Sequence, residues 1–192
     1  MDIDALREDL VLDARLRGHS FRLNTTWGLF SPRAVDAGTL LLLERLEIPA
    51  NTVALDLGCG YGPLGLAIAS EATAGQVHMV DRDFLAIEYS RLNASQNGID
   101  NAEIYLSNGF SAVPESLELD LVVSNLPAKV GNEMFRLMFH DAHQRMRPGA
   151  RIVVVTVNGL RDFVKRNFRE TFGNYEKVKQ GRTHTVTSAV RE

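Results

Sequence analysis

The chain has 192 residues, of which 45% are hydrophobic and 23% are charged, and its formal net charge is −3. This length corresponds to about one globular domain with a substantial core. No apolar run approaches the roughly 20 residues needed to cross a bilayer, and the acidic N-terminus is unlike a secretory signal. A single cysteine, Cys59, excludes an intrachain disulfide and a thiolate metal cluster. We therefore expect a cytoplasmic protein without a membrane segment or a metal site.

The first part of the chain predicts a helical arm followed by a single domain. Leucines alternate with charged residues at helical spacing in residues 1–20 (Leu6, Leu10, Leu12 and Leu16). Residues 21–192 then form one domain, because no linker, repeat or low-complexity tract divides them. At its start, residues 21–29 are rich in β-forming side chains and predict a hairpin or an extended flap. Residues 36–46 predict a helix.

Residues 53–65 contain the most informative motif of the chain, which reads VALDLGCGYGPLG. A short apolar run, typical of a buried parallel strand, carries one carboxylate near its end, Asp56. Glycines follow at alternate positions, and Pro63 is favoured at the first position of a helix. Strand, turn and helix N-terminus together predict a site where a polar ligand meets backbone N–H groups and the positive end of a helix dipole.

The glycine turn is open to several interpretations. The segment from Gly60 to Gly65 also spells the pattern GxGxxG of nicotinamide-dependent dehydrogenases, and the glycines fit a purely structural turn as well. In a dinucleotide fold, however, the first glycine follows the strand immediately, and a carboxylate such as Asp56 repels a pyrophosphate. Asp56 favours a ligand that presents a cation, such as the ammonium and sulfonium groups of S-adenosylmethionine.

Polar residues also end the next three predicted strands. Asp81 lies 25 positions after Asp56, about where an acidic residue reaches ribose hydroxyls beside such a turn. Asn108 follows the third strand with hydrogen-bonding groups for an adenine edge, and Asn125 follows the fourth. Ligands bind at the carboxyl ends of strands in an open α/β sheet. The predicted cofactor site therefore comprises Asp56, Gly58, Gly60, Gly62, Asp81, Arg82, Asn108, Gly109 and Asn125.

The order of the predicted elements and the motif DLGCGYG resemble the class I S-adenosylmethionine-dependent methyltransferases. Five strands alternate with helices, and residues 174–190 predict a closing hairpin. The resemblance covers about residues 20–190 and implies an α/β fold, a Rossmann-like doubly wound sheet of seven strands, mostly parallel with an antiparallel C-terminal hairpin strand. It implies S-adenosylmethionine as the cofactor and methyl transfer as the reaction.

Flanking motifs carry a narrower resemblance. They are Gly28-Leu29-Phe30-Ser31, Asp36, Gly38-Thr39, Ser107-Asn108 and Ser124-Asn125 before a proline. Together they resemble the ribosomal RNA guanine-N2 methyltransferases of the methyltransferase small domain group. This implies transfer of a methyl group to an exocyclic amine, guanine N2 of ribosomal RNA. Methylation of a small molecule or a protein side chain stays open as an alternative, as does a non-catalytic cofactor-binding module that interacts with RNA.

The expected catalytic residues are Asn125, Leu126 and Pro127. An Asn oxygen and a neighbouring backbone carbonyl that accept both N–H bonds of an amine turn its lone pair toward the methyl group, and a proline holds that carbonyl outward. The family motif is Asn-Pro-Pro-aromatic, whereas this chain has Leu126 and Ala128 at the second and fourth positions. Three residues elsewhere in the chain are candidates for a ring that stacks on a flipped base: Phe30, Phe110 and Trp27.

Charge is distributed unevenly along the chain. Residues 1–128 hold 8 Lys and Arg against 18 Asp and Glu, whereas residues 129–192 hold 13 against 6. The basic C-terminal third favours a surface that contacts nucleic acid, with ribosomal RNA as the expected partner. The alternative is that Arg161, Lys165, Arg166 and Arg169 are only the solvent-exposed face of one helix. The sequence leaves both interpretations open.

Overall fold

The computed structural model describes residues 8–127 and 131–192. Within them, the strands in chain order are β1 (Leu10–Leu16), β2 (His19–Thr25), β3 (Val53–Leu57), β4 (Gln76–Asp81), β5 (Ala102–Leu106), β6 (Leu119–Asn125), β7 (Met146–Val157), β8 (Glu176–Gln180) and β9 (His184–Val190). The helices are α1 (Ala37–Leu43), α2 (Pro63–Ala69), α3 (Phe84–Gln96), α4 (Asn132–Arg145) and α5 (Arg161–Phe172), with a 3-10 turn at Asn158–Leu160. In this described part of the chain, the helices are too short or too polar to span a membrane.

Seven strands form one sheet in the order β5-β4-β3-β6-β7-β9-β8. Neighbours from β5 to β7 pair in parallel, and β9 is antiparallel to both β7 and β8. The predicted fold class is therefore confirmed: an α/β Rossmann-like sheet of seven strands, mostly parallel, with an antiparallel strand in the C-terminal hairpin.

The two faces of the sheet bury separate apolar layers. Alternate residues of a strand point to opposite faces, so Ala54 packs with α1, α2 and α3, while Leu55 packs with α4 and α5. The second layer is rich in aromatic rings, and Phe139 of α4 meets Phe168 of α5 edge to face at 4.9 Å. Burial on both faces explains why β3 and β6 are nearly continuous apolar runs.

The predicted helical arm is wrong where the structure describes it, because residues 10–25 form the β1–β2 hairpin. Leu12 lies two positions after Leu10, and Leu16 lies four positions after Leu12. Because side chains alternate between the two faces of a strand, these leucines share one face of β1. Arg17 and Gly18 have φ values of 48° and 88°, the left-handed pair that closes a two-residue hairpin. The proposed boundary at residue 20 falls inside this hairpin, and residues 1–7 lie outside the described part.

The hairpin is held to the domain by side-chain amides of α3. Asn97 Oδ1 accepts the N–H of Arg22 and its Nδ2 donates to the carbonyl of Arg22, both at 2.9 Å. Asn93 makes the equivalent pair with the backbone of Asn24, at 2.6 and 2.9 Å. These amides take the place of a neighbouring strand along the open edge of β2. Asn93 Nδ2 also donates to the carbonyl of Tyr61 in the glycine turn, at 2.8 Å.

Replacing Asn93 tests this attachment. Asn93 is fully buried, so Asn93→Ala leaves the buried carbonyl of Tyr61 and the half-buried backbone groups of Asn24 unpaired. It should lower the free energy of unfolding by about 3 kcal/mol. Asn97→Ala is the matched control, because it removes the equivalent two bonds to β2. Asn97 is half-exposed, so water replaces the lost bonds, and the variant should lose less than about 1 kcal/mol. Urea unfolding measures both values, and equal losses would contradict this account.

Candidate active site

The polar residues predicted at the strand ends lie along one edge of the sheet. Strands β3 to β6 are mutually parallel, so their carboxyl ends share this edge. Asp56 is level with Met79 and Val123 on its two neighbours, and Asp81 is level with Leu106. We call this side of the sheet the carboxyl edge.

The three glycines of the turn have positive φ values, 79° at Gly58, 56° at Gly60 and 99° at Gly62, which side chains rarely adopt. A Cβ on Gly58 or Gly60 would meet no atom within 4 Å, so the backbone there faces open space. A Cβ on Gly62 would lie 3.1 Å from atoms of three neighbouring side chains, because this glycine packs where α2 begins. The first two glycines therefore form an open backbone cradle.

Asp56 is a buried carboxylate beneath this cradle, with 1% of its surface exposed. Its Oδ2 accepts the N–H of Gly65 at 2.8 Å, while its Oδ1 is buried without a partner among the described residues. Burial raises the pKa of Asp56 from 3.8 to about 7; the Gly65 N–H lowers the pKa and the charge of Asp81 raises it further. A cation placed near Oδ1 would favour the ionised form.

Asp81 ties β4 to the glycine turn. Its Oδ2 accepts the N–H of Gly60 at 2.9 Å, and its Oδ1 accepts the N–H of Asp83 at 3.0 Å. Asp83 in turn caps α3 by accepting the N–H of Leu85 at 2.9 Å. Asp81 is half-buried, so its carboxylate is fixed by two backbone donors while part of it stays accessible to a ligand.

The residues predicted for the adenine end are separate from this network. Arg82 and Asn108 are exposed, and within the described chain neither side chain makes a hydrogen bond to the turn. Ser107 shapes the loop after β5: its Oγ donates to the carbonyl of Gly109 at 2.8 Å and accepts the N–H of Ala112 at 3.0 Å. The structure brings Asp56 and Asp81 together around the turn, whereas Arg82 and Asn108 follow the ends of β4 and β5 on the same edge of the sheet.

Asn125 ends β6, and its side-chain amide is held by two residues of the α1 N-terminus. Its Nδ2 donates to Asp36 Oδ2 at 2.8 Å and to Thr39 Oγ1 at 3.0 Å. Asp36 also caps α1 by accepting the N–H groups of Gly38 and Thr39, at 2.7 and 3.3 Å. Asp36 and Thr39 were not among the predicted site residues and entered only through the family resemblance. The available signal was an Asp three residues before a Thr at the start of a helix.

Leu126 and Pro127 continue the chain beyond Asn125. The N–H of Leu126 donates to the carbonyl of Val155 at 3.0 Å, and its side chain is 3% exposed. Pro127 is exposed, and Ala128, at the place of the family's aromatic residue, lies outside the described residues. The backbone at Leu126 is thus anchored by β7 and by the core.

Residues 26–36 connect the hairpin to α1 and cross the glycine turn. The hydroxyl of Tyr61 is 3.4 Å from the carbonyls of Ser31 and Ala34. Phe30 in this segment is 66% exposed, whereas Phe110 is 4% exposed and belongs to the core. Trp27 is 38% exposed, with the guanidinium of Arg33 5.8 Å from its ring. Of the three candidate rings, Phe30 and Trp27 are accessible to a ligand and Phe110 is not.

The strand order, the reversed strand β9 and the acidic residue before the glycine turn define a class I S-adenosylmethionine-dependent methyltransferase. A dinucleotide-binding Rossmann sheet has the strand order 3-2-1-4-5-6, whereas here the reversed strand β9 lies between β7 and β8. This order argues against the nicotinamide interpretation of GxGxxG. The methyltransferase small domain family matches residues 20–188, and the chain belongs to this family.

The chain is similar to several known proteins. It is 35% identical over 142 residues to the uncharacterised protein YbxB of Bacillus subtilis, covering 73% of this chain and 71% of that protein. It is 31% identical to a ribosomal RNA small subunit methyltransferase C of Hamiltonella defensa, over 88% of this chain and 50% of the relative. A Thermus thermophilus 16S rRNA N2 G1207 methyltransferase, solved with AdoMet and guanosine, superposes with a TM-score of 0.87 at 26% identity, over 96% of this chain and 51% of that one. The chain spans about half the length of these two RNA methyltransferases.

The pKa of Asp56 predicts a pH-dependent stability. Because the folded state holds this proton more tightly than the unfolded chain, stability falls as the pH rises from about 4 to about 7 and is then constant. Asp56→Asn keeps an acceptor for Gly65 and removes the titration. The free energy of unfolding of this variant, relative to the wild type, should rise across that pH range and level off above pH 7. Urea titrations from pH 4 to pH 8 measure it, and a difference independent of pH would contradict the prediction.

Proposed function

We propose that this chain transfers a methyl group from S-adenosylmethionine to an exocyclic amine, guanine N2 of ribosomal RNA. The observation that carries the proposal is the adjacency of the glycine turn and Asn125. β6 pairs directly with β3, and Ser124 Oγ donates to the carbonyl of Leu57 at 2.6 Å. An amine bound at Asn125 would therefore lie beside a cofactor bound at the turn. The similarity to a methyltransferase solved with AdoMet and guanosine supports this substrate.

The described residues fit the cofactor. The buried Oδ1 of Asp56 offers an acceptor without a partner, and the backbone at Gly58 and Gly60 faces open space. We propose that Asp56, Gly58, Gly60 and Gly62 hold the methionine part and Asp81 the ribose. In the same proposal, Arg82, Asn108 and Gly109 border the adenine. When bound, the cofactor supplies a methyl group on a sulfonium that is already an activated leaving group.

The chain contributes mainly by positioning the acceptor amine. One N–H of the amine donates to Asn125 Oδ1 and the other to the carbonyl of Leu126, so the nitrogen lone pair is turned toward the methyl group. Leu126 is suited to this role because its backbone is fixed by Val155 and its side chain is buried. Pro127 restricts the next backbone dihedral. In this proposal Asn125, Leu126 and Pro127 take the place of the Asn-Pro-Pro part of the family's motif.

Phe30 is proposed as the ring that stacks on the target base. It is the most exposed aromatic residue of the segment that lies against Tyr61 and ends at Asp36, the partner of Asn125. The segment that carries Phe30 therefore contacts both the glycine turn and Asn125. Stacking on a base contributes about 1–3 kcal/mol, which offsets the absence of an aromatic residue at position 128.

A labelled-methyl assay tests the reaction. The wild-type chain should methylate ribosomal RNA transcripts and yield N2-methylguanosine, whereas transcripts with inosine in place of guanosine lack the amine and should take up no label. Asn125→Ala should lower kcat about 100-fold or more because the amine loses its acceptor. The sequence also placed Asn125 in the cofactor site, but its Nδ2 is bound to Asp36 and Thr39 and this proposal assigns its Oδ1 to the amine. The affinity of the variant for S-adenosylhomocysteine should therefore stay within about twofold. Equal labelling of the inosine transcripts would rule out guanine N2.

The basic C-terminal third supports RNA as the partner only in part. Arg147 pairs with Glu118 and Asp120 at 3.2 and 2.9 Å, and Arg161 pairs with Asp162 at 3.2 Å. These pairs neutralise some of the excess positive charge. Six exposed cations of this third make no ion pair within the described residues: Arg136, Arg166, Arg169, Lys177, Lys179 and Arg182.

Of these six, Arg182 has a position that links it to the site. Its carbonyl accepts from Asn158 Nδ2 at 3.0 Å, so the β8–β9 turn is tied to the carboxyl end of β7. His184 follows Arg182 by two residues, and its ring lies against Gly38: a Cβ on Gly38 would be 3.0 Å from this ring. Gly38 is bound to Asp36, the partner of Asn125. We propose that Arg182 contacts a phosphate close to the methylated nucleotide.

Charge reversal tests the role of Arg182. Arg182→Glu should weaken RNA binding and lower the slope of log affinity against log salt by about one. Arg15→Glu is the matched control, because Arg15 is exposed on the hairpin. It lies near Arg17, whose guanidinium donates to the carbonyl of Leu43 and to the carboxylate of Glu71 at the opposite edge of the sheet. Fluorescence anisotropy with a labelled transcript measures both variants, and an equal effect of the two would contradict a specific role for Arg182.

A further inference from the structure

We propose that Asp36 and Thr39 are positioning residues that fix which end of the Asn125 amide faces the acceptor amine. The inference rests on the proposed function for the identity of the substrate. The orientation of the Asn125 side chain, however, is a property of the protein alone. It can be measured in the absence of cofactor and RNA.

An asparagine side chain has two ends of nearly equal size and opposite hydrogen-bonding character. Rotation by 180° about the last torsion exchanges an oxygen acceptor for an NH2 donor. With the oxygen toward the substrate, Asn125 accepts a hydrogen bond from the amine. With the NH2 toward the substrate, two donors face each other, and the lone pair of the amine is no longer directed. The reaction therefore needs one of the two orientations.

Asp36 selects that orientation because an ionised carboxylate only accepts hydrogen bonds. Its Oδ2 already receives the N–H groups of Gly38 and Thr39, and Asn125 Nδ2 completes the set at 2.8 Å. A flipped amide would place Asn125 Oδ1 against this oxygen, so that lone pairs face each other. The charge of Asp36 thus excludes the flipped state.

Thr39 engages the second N–H of the same amide. Its Oγ1 lies 3.0 Å from Asn125 Nδ2, and Thr39 is 4% exposed. A hydroxyl both donates and accepts, so Thr39 alone would tolerate either orientation of the amide. Acting with Asp36, it occupies the remaining donor position of Nδ2. Both N–H groups of Asn125 are then directed toward α1, and Oδ1 is the end that remains for a substrate.

The packing of α1 fixes Asp36 in turn. Gly38 leaves no room for a side chain, since a Cβ there would be 2.8 Å from Asp36 Oδ2 and 3.0 Å from the ring of His184. The aspartate is also the N-cap of α1, and its oxygen is held by two backbone donors of the first turn. The docking of α1 against the sheet therefore sets the direction of a side chain on β6.

The variants Asp36→Ser and Thr39→Val separate positioning from stability. Serine keeps an oxygen that caps the helix, but its side chain is too short to reach Asn125. Valine matches the shape of threonine and lacks the acceptor. Both variants should keep the affinity for S-adenosylhomocysteine within about twofold and leave the KM for S-adenosylmethionine unchanged. The kcat of Asp36→Ser should fall about tenfold or more, because the acceptor is no longer directed. Asp36→Asn, which both caps and reaches, should restore part of this loss.

Nuclear magnetic resonance of the full chain supplies the readout that does not depend on activity. The Asn125 side-chain NH2 signals are assigned by their loss in Asn125→Ala. In the wild type these hydrogens should exchange slowly with water, and in Asp36→Ser they should exchange at least about tenfold faster because their acceptor is gone. Unchanged exchange would overturn the inference, whatever RNA the protein methylates.

A double mutant completes the test. If Asp36 acts through Asn125, then Asp36→Ser should cause no further loss of kcat in an Asn125→Ala background. An equal loss in both backgrounds would show a general structural effect and overturn the inference. If the wild type does not methylate guanine, the proposed function fails, while the exchange measurement still decides the orientation of Asn125.

Discussion

The hydrogen bond between the buried carboxylate of Asp56 and the N–H of Gly65 connects the end of β3 to the first turn of α2. It forms because α2 approaches the sheet closely: a Cβ on Gly65 would be 2.6 Å from Met79 and 2.9 Å from Asp56 Oδ2. This close approach fixes where the glycine turn lies above the strand ends. It also removes the carboxylate from water, which raises the pKa of Asp56 to about 7. The proposed cation site follows from both effects.

The two ends of the candidate site are joined by side chains that bind backbone. Asn93 connects α3 to the hairpin and to the carbonyl of Tyr61 in the glycine turn. The chain then leaves the hairpin, crosses over Tyr61 and reaches Asp36, which binds Asn125. Because each of these groups is at least partly buried and paired, displacing one of them leaves others unpaired, at a cost of about 1–3 kcal/mol for each buried group. The hairpin thus supports both the turn and the end of β6.

The two ends of the carboxyl edge carry side chains of opposite charge and therefore favour different ligands. Asp56 and Asp81 lie around the glycine turn, in the acidic part of the chain, and favour a cation. Arg182 lies beyond β7, on the far side of Asn125, in the basic part. In the proposed function, the charged cofactor and the RNA phosphates are therefore drawn to opposite ends of the edge. Asn125, between them, is where the methyl group and the amine would meet.

Apolar runs and turns are local patterns, so the sequence predicted the strands and the polar residues at their ends, Asp56, Asp81 and Asn125. The family resemblance implied the mostly parallel sheet of seven strands. Three other features depend on contacts between residues that are distant in the chain. The leucines of residues 10–16 fit more than one periodicity, and the amides of α3 select the strand. Phe30 and Phe110 are equivalent in the sequence, and packing buries only the second. Asp36 and Asn125 are 89 positions apart, so their contact exists only because α1 docks beside the end of β6.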